Sequence, residues 1–229
     1  MIIAAKRKKV SHAPVLPELL LWNDATARDG PENMAVDEWL WKRREQAILR
    51  VYRWAGDWMS IGYFSNAAAV PAGRAFVRRP TGGGLVDHRE DWTYTLIIPR
   101  GHALAEMPGA ASYEIIHRAL SEVLAGEHLV CQLKPDLPNE HSDFCFRQPV
   151  RFDLVDDAGR KIAGAGQRRG RQGLLHQGSV QVAPDPQRGR ELARCLAVTV
   201  VETEIIPDQA AVDQFRHAVY QQHDWNHRR

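Results

Sequence analysis

Three consecutive glycines, Gly82 to Gly84, separate two segments of β-strand character, and they restrict what this chain can fold into more than any other feature. Ala75-Phe76-Val77-Arg78 precedes them, and residues 92–98 follow with Thr, Tyr, Thr alternation before Leu96-Ile97-Ile98. A glycine in regular structure costs about 0.5–1 kcal/mol relative to alanine, so a run of three stands where φ must be positive or where a Cβ would strike something held against the main chain. A bulged hairpin is the plain reading of such a cluster. The flanking charges, Arg78-Arg79 before and Asp87-His88 after, are not needed for a turn. They favour a flat glycine floor beside cationic and titratable groups, suited to a long, slim acyl chain with a polar or phosphorylated head.

At 229 residues the chain can bury one substantial core, near the upper range for a single α/β or α+β domain. Its 44% hydrophobic and 25% charged residues are those of an ordinary soluble globular protein. The formal net charge of +2 supplies no global field for nucleic acid. No apolar run reaches the roughly 18–20 residues that span a bilayer, and the start MIIAAKRKKVSHAP carries its charges after its apolar residues, the reverse of a signal peptide. A cytoplasmic protein with no membrane and no nucleic-acid partner is expected. Cys131, Cys145 and Cys195 are widely spaced with no CxxC, which argues against a disulfide framework and against a structural zinc site, and no metal site is expected.

Residues 1–17, with Lys6-Arg7-Lys8-Lys9 and two prolines, read as a flexible basic arm, and residues 18–229 as a single domain. Residues 19–22 are expected as a short buried strand. Pro31-Glu32-Asn33 opens a helix on which Asn33 and Asp37 are better placed to cap and orient a neighbouring loop than to touch substrate. Residues 47–54 and 58–64, joined by Ala55-Gly56-Asp57, read as a hairpin feeding the glycine segment. Residues 110–124 have helical spacing, with Ile116, Leu120 and Val123 inward and His117 on the surface. Residues 128–133 and 152–155 read as strands, and 160–163 and 174–182 continue a meander through turns at 156–159 and 169–173. Residues 184–196 form a short helix, and residues 208–225 a last amphipathic helix with Val212, Phe215 and Val219 inward.

Two residues have chemistry to offer. Lys161 stands between an Asp-Ala-Gly-Arg turn and the small residues Ala163, Gly164, Ala165 and Gly166, where a substrate can approach the backbone. An ammonium there can stabilise charge developing on an acyl carbonyl or lower the pKa of a nearby thiol. Cys145, in FCFRQP, lies just before the strand leading to Lys161, whereas Cys131 and Cys195 lie in apolar stretches and read as buried packing residues. Nucleophilic catalysis needs a thiolate, which a nearby lysine or histidine promotes. On the residues alone, a nucleophile and an inert thiol both stay open for Cys145. His88, His141 and His176 are candidate proton carriers. Arg168, Arg169 and Arg171 around Gly170 read as a solvated turn or as a docking patch for an acidic partner or a donor phosphate.

RRPTGGGLVDH over residues 78–88 resembles the signature of the lipoate-protein ligase and octanoyltransferase family, related to the biotin protein ligases. ENMAVDEWL, LRVYRWAGDWMSIGYF, and GRKIAGAGQRR with LLHQGSV match in the expected order, so the resemblance covers residues 20–182. It implies an α+β domain of the class II synthetase and biotin protein ligase type, with a mixed sheet flanked by helices. It also implies transfer of an octanoyl or lipoyl group to a lysine of a lipoyl domain, with an acyl carrier protein or a lipoyl-domain protein as partner. Carried over by position, Arg79, Thr81, Gly82, Gly83, Gly84, His88, Gly164 and Ala165 bind the acyl substrate, and Lys161 contacts its carbonyl. Cys-Phe-x-x-Pro followed by Phe152-Asp153 is similar to the cysteine-dependent transferases, which makes Cys145 the thioester nucleophile. A transferase requires no cofactor beyond the octanoate or lipoate it carries, whereas an ATP-dependent ligase would need ATP and magnesium. Ligases usually have Asn-Asp where this chain has Phe152-Asp153, and the roughly 45 residues after Val182 leave little room for an accessory domain, both against the ligase alternative. A non-catalytic acyl-binding module is the third possibility.

Overall fold

The computed structural model describes residues 13–43, 45–135 and 150–228. Of the sequence expectations, most of the basic arm, Cys145 and His141 lie outside them.

The chain runs β1 (Leu16–Asn23), α1 (Gly30–Arg43), β2 (Ile48–Tyr52), β3 (Trp58–Ile61), β4 (Ala75–Arg78), β5 (Val86–Asp87) and β6 (Trp92–Pro99). Then come α2 (Ala103–Glu106), α3 (Gly109–Gly126), β7 (Gln132–Leu133), β8 (Leu154–Val155), β9 (Lys161–Gly170), β10 (Gly173–Val180), α4 (Pro186–Leu196), β11 (Ala197–Glu202), α5 (Gln209–Phe215) and α6 (His223–Asn226). Eight strands make one mixed sheet in the order β11-β1-β2-β6-β10-β9-β8-β7, and β4-β3-β5 make a second, small sheet. This is the α+β architecture, a mixed sheet flanked by helices, that the sequence implied.

Strand alternation divides the core in two. On β6, Leu96 and Ile98 point to the face covered by α3 and α4, where they join Leu49, Ile116, Leu120, Leu174 and Leu192. Ile97 points to the opposite face and packs with Met34 and Leu40 of α1, Leu175, and Val212 of α5. Thr93 and Thr95 share that second face by the same period of two, and a cavity opens over it.

Four local expectations are corrected. Residues 47–64 do not form a hairpin: β2 has both edges taken, by β1 and by β6, so β3 leaves the main sheet and pairs with β4 and β5. His117 is fully buried rather than on the surface, because α3 turns it toward the sheet. The 128–133 strand shrinks to β7, because Glu127, His128 and Leu129 spend their N–H groups capping α3 and His128 takes φ 64°. The C-terminal helix is broken: α5 passes into a π turn (Arg216–Tyr220), and α6 starts afresh after Gln222.

The triple glycine does not join hairpin partners either, since β4 pairs with β3 in parallel. It is squeezed between two other glycines. A Cβ on Gly62 would overlap the Gly83 carbonyl, one on Gly166 would overlap the Gly82 carbonyl, and Gly83 itself has φ +93°. Backbone packs on backbone at both contacts, which is the close approach the sequence predicted.

Candidate active site

A cavity of about 680 Å³ lies between the small sheet with its glycine segment and the face of β6, β10 and β9. Its walls include Arg79, Gly83, Gly84, His88, Lys161, Gly164 and Ala165, so residues nearly eighty positions apart in sequence meet around one space. Thr81 and Gly82 stand behind the wall. The Thr81 hydroxyl donates to Gln177 Oε1 at 2.8 Å, and the Gly82 carbonyl accepts from Arg79.

Lys161 opens β9, and its side chain folds back over Gly164, where any Cβ would overlap its ammonium. Its Nζ lies 2.7 Å from Asp153 Oδ2. Asp153 is fully buried and its oxygens are committed: Oδ1 accepts from Tyr113 OH at 2.5 Å, and Oδ2 also accepts from the backbone N–H of Val150 at 2.8 Å. Burial, and then the neighbouring Asp153, push the Tyr113 phenol well above its usual value. The Tyr113 oxygen in turn accepts from Ala165 N–H at 2.9 Å, which fixes the wall strand beneath a bound chain. The stretch carrying Cys145 rejoins the described chain at Val150, itself a cavity residue.

Arg79 forms the facing wall. It is buried, and its guanidinium donates to Ser60 Oγ (2.7 Å), Gly82 O (3.1 Å) and Gly84 O (3.0 Å). Burial lowers its pKa to about 10. None of these partners is a carboxylate, so its charge is available to a polarised or anionic group in the cavity. Arg78, next along the chain, points away and is consumed by backbone carbonyls, among them Gly62, Tyr63, Ser65, Trp225 and Asn226. One arginine of the pair builds the loop and the other faces the cavity.

His88 lines the cavity with its Nε2 2.6 Å from Ser60 Oγ and its Nδ1 2.8 Å from Asp91 Oδ2. His176 belongs to the other face of β10, between Tyr94 OH and the Gln167 amide, both at 3.1 Å, where burial drives its pKa well below the usual histidine range. It is not placed to carry protons in the cavity. Of the arginine turn, Arg169 is tied to Ala105 O and Ser112 Oγ and Arg168 lies 5.0 Å over the Trp41 ring. Cys131 and Cys195 are only half-buried, and burial raises both thiols, Cys195 to about 11, so both stay protonated. Ser60, Asp91 and Tyr113 were not legible as site residues, because each arrives on a different element with no motif around it.

Residues 29–221 match the lipoyl protein ligase A/B catalytic domain. The chain belongs to that family. It is 31% identical over 177 residues to the octanoyltransferase LipM of Bacillus subtilis, a match covering 68% of this chain. The match spans 63% of that relative's length. The fold agrees with protein Ta0514 of T. acidophilum, solved with bound lipoic acid, at TM-score 0.72 and 20% identity over 92% of this chain and 99% of that one. It agrees equally with a lipoate-protein ligase A bound with ATP, at TM-score 0.71 and 19% identity over 92% and 98% of the two chains. Among the described residues, no helix is long and apolar enough to cross a membrane.

Proposed function

We propose that this chain is a cytoplasmic acyltransferase of protein lipoylation, moving an octanoyl or lipoyl group through a Cys145 thioester to a lysine of a lipoyl domain. The observation that carries the reading is the meeting of the Lys161 ammonium, seated over Gly164, with the Gly83-Gly84 wall around one cavity. The acyl chain lies along the glycine wall, with its carbonyl toward Lys161. Cys145 attacks the carbonyl of a carrier-bound thioester: its C–S bond forms, the donor thiol leaves, and the Lys161 ammonium balances the oxyanion. A lipoyl-domain lysine then displaces the enzyme thiol.

The ATP-dependent ligase alternative would need ATP and magnesium; both Asp153 oxygens are engaged by Tyr113, Lys161 and Val150 N–H, so this buried carboxylate offers no free oxygen to a metal ion. Transfer measured with and without ATP, on wild type and Cys145→Ala, decides the matter. The transferase reading expects ATP-independent transfer that Cys145→Ala abolishes. Lipoate-dependent pyrophosphate release that survives Cys145→Ala contradicts it.

A further inference from the structure

An ammonium on a flexible four-carbon stem stands wherever its restraints put it, and for Lys161 the restraint is the ion pair with Asp153. That pair fixes the ammonium only as well as Asp153 is itself fixed. Asp153 follows an unusual piece of backbone. Phe152 has φ 68°, a left-handed conformation that glycine adopts freely and an aromatic residue only at a cost.

Sheet register shows what the conformation does. β8 and β9 are antiparallel with Leu154 opposite Ala163, so two residues further along Phe152 would stand opposite Ala165. The chain turns away at Phe152 instead, and β8 ends before reaching Ala165. The Tyr113 phenol takes the vacated place: its oxygen accepts from Ala165 N–H at 2.9 Å, and its own proton goes to Asp153 Oδ1 at 2.5 Å. The same turn brings the Asp153 carboxylate over Gly164, where a Cβ would strike it and the Lys161 ammonium together.

The Phe152 ring does not anchor this turn, since it is half-exposed beneath the Arg151 guanidinium, 4.4 Å from the ring centroid. Its backbone is held. The N–H donates to Lys134 O at 3.0 Å, and the carbonyl accepts from His117 Nδ1 at 2.6 Å. A carbonyl only accepts, so the His117 proton is on Nδ1. His117 is fully buried and follows Tyr113 by four residues on α3, which puts both side chains on one face of that helix, their ring centroids 4.1 Å apart. One turn of α3 holds the carboxylate of Asp153, and the next holds the carbonyl of the residue before it.

We propose that Tyr113 and His117 form a clamp on α3 that sets where the Lys161 ammonium stands, Tyr113 through the Asp153 carboxylate and His117 through the left-handed turn at Phe152; this rests on the transferase reading above. Asp153 takes one of the three N–H bonds of the ammonium, and the clamp leaves the others for the acyl carbonyl oxygen. Tyr113 and His117 are positioning residues. Neither lines the cavity, and their effect on transfer passes through Lys161.

A double-mutant cycle against Lys161→Ala tests this, with ATP-free transfer from octanoyl carrier protein to a lipoyl domain as the readout. Tyr113→Phe, a one-atom deletion that keeps the ring, and His117→Leu should each lower kcat about tenfold, with KM for octanoyl carrier protein changed less than about threefold. In Lys161→Ala the same substitutions should lower the remaining rate less than about twofold, because the group they aim is gone. His117→Asn can place its amide nitrogen where Nδ1 stands and should retain most of the rate. In Phe152→Gly, where glycine holds a positive φ unaided, His117→Leu should cost less than about threefold. Tyr113→Phe carries the test alone if His117→Leu fails to fold. Losses by the same factor with and without Lys161, or a wild-type kcat in Tyr113→Phe, would overturn the clamp and leave the transferase reading standing. A wild type that transfers nothing without ATP would overturn the transferase reading and, with it, the clamp's part in transfer.

Discussion

Arg50 and Arg79 are both buried arginines on the same side of the sheet, and they have opposite surroundings. Arg50 sits between two carboxylates, with Nη1 2.7 Å from Asp37 Oδ1 and Nη2 2.8 Å from Asp24 Oδ2, and Asn33 Oδ1 accepts a further bond at 2.8 Å. Burial opposes its charge, but Asp37 and Asp24 outweigh burial and hold its pKa above the ordinary arginine value. Arg79 receives the burial without the carboxylates, and its pKa falls to about 10. The first arrangement joins β1, α1 and β2 into a floor. The second holds a positive charge at a cavity wall for something else to use. The two are linked, since Asp37 also accepts from Gln177 Nε2 at 2.8 Å, and Gln177 holds Thr81 of the glycine segment.

Breaking the first arrangement should give the largest effect. Arg50→Ala leaves Asp24 and Asp37 buried and unpaired, which costs about 3–5 kcal/mol. A melting temperature lowered by roughly 10 °C or more is expected in a chain of this size. A drop of only a degree or two would mean that Arg50 is no more structural than Arg79.

Arg79→Met should show the reverse. It removes a buried charge that has no carboxylate partner among the described residues, so the melting temperature should stay within about 4 °C of wild type. Octanoyl transfer should fall about 10²–10³-fold. Unfolding with retained specific activity in the folded fraction would reverse the comparison.

Lys161→Ala tests the opposite wall. Transfer should fall about 10²-fold, and stability, measured by urea titration, should fall by about 1–3 kcal/mol, because the buried Asp153 keeps Tyr113 OH and Val150 N–H but loses its counter-charge. A variant as active as wild type would remove Lys161 from the chemistry.

His117 extends the comparison to a smaller effect, because it too is buried with no ion pair among the described residues. Burial lowers its pKa to about 4, although its Nδ1 bond to Phe152 O pulls the other way. The unfolded chain therefore binds a proton that the folded one refuses between about pH 6.5 and pH 4, and stability present above that window is lost as pH falls through it. His117→Gln should flatten this part of the urea-derived stability curve by roughly 1–3 kcal/mol. An unchanged slope would show that His117 is solvated in solution.

The two sides of the cavity were unequally legible in the sequence. β4 and β6 stood out because their alternation is uninterrupted, and the glycine run announced a close backbone approach that Gly62 and Gly166 supply. The hairpin at residues 47–64 was misread because alternation marks a strand without naming its partner, and β2 had already spent both edges. His117 was misread because a polar residue one step from an apolar stripe can turn either way, and here α3 points it at Phe152 O. Arg50 gave no signal at all: its carboxylates come from 26 residues before it and 13 before it, on different elements. The Ser60, His88 and Asp91 chain was hidden for the same reason, since a serine within a strand is ordinary until another strand brings a histidine against it.

The account depends most on an acyl group passing through Cys145 while its carbonyl rests between Lys161 and the glycine wall. Intact-mass measurement of the protein after incubation with octanoyl carrier protein, in the absence of ATP, tests this directly. One octanoyl adduct is expected, localised to Cys145 by peptide mapping, absent from Cys145→Ala and strongly reduced in Lys161→Ala. A wild-type protein that transfers octanoyl groups at full rate but never carries the adduct would contradict it.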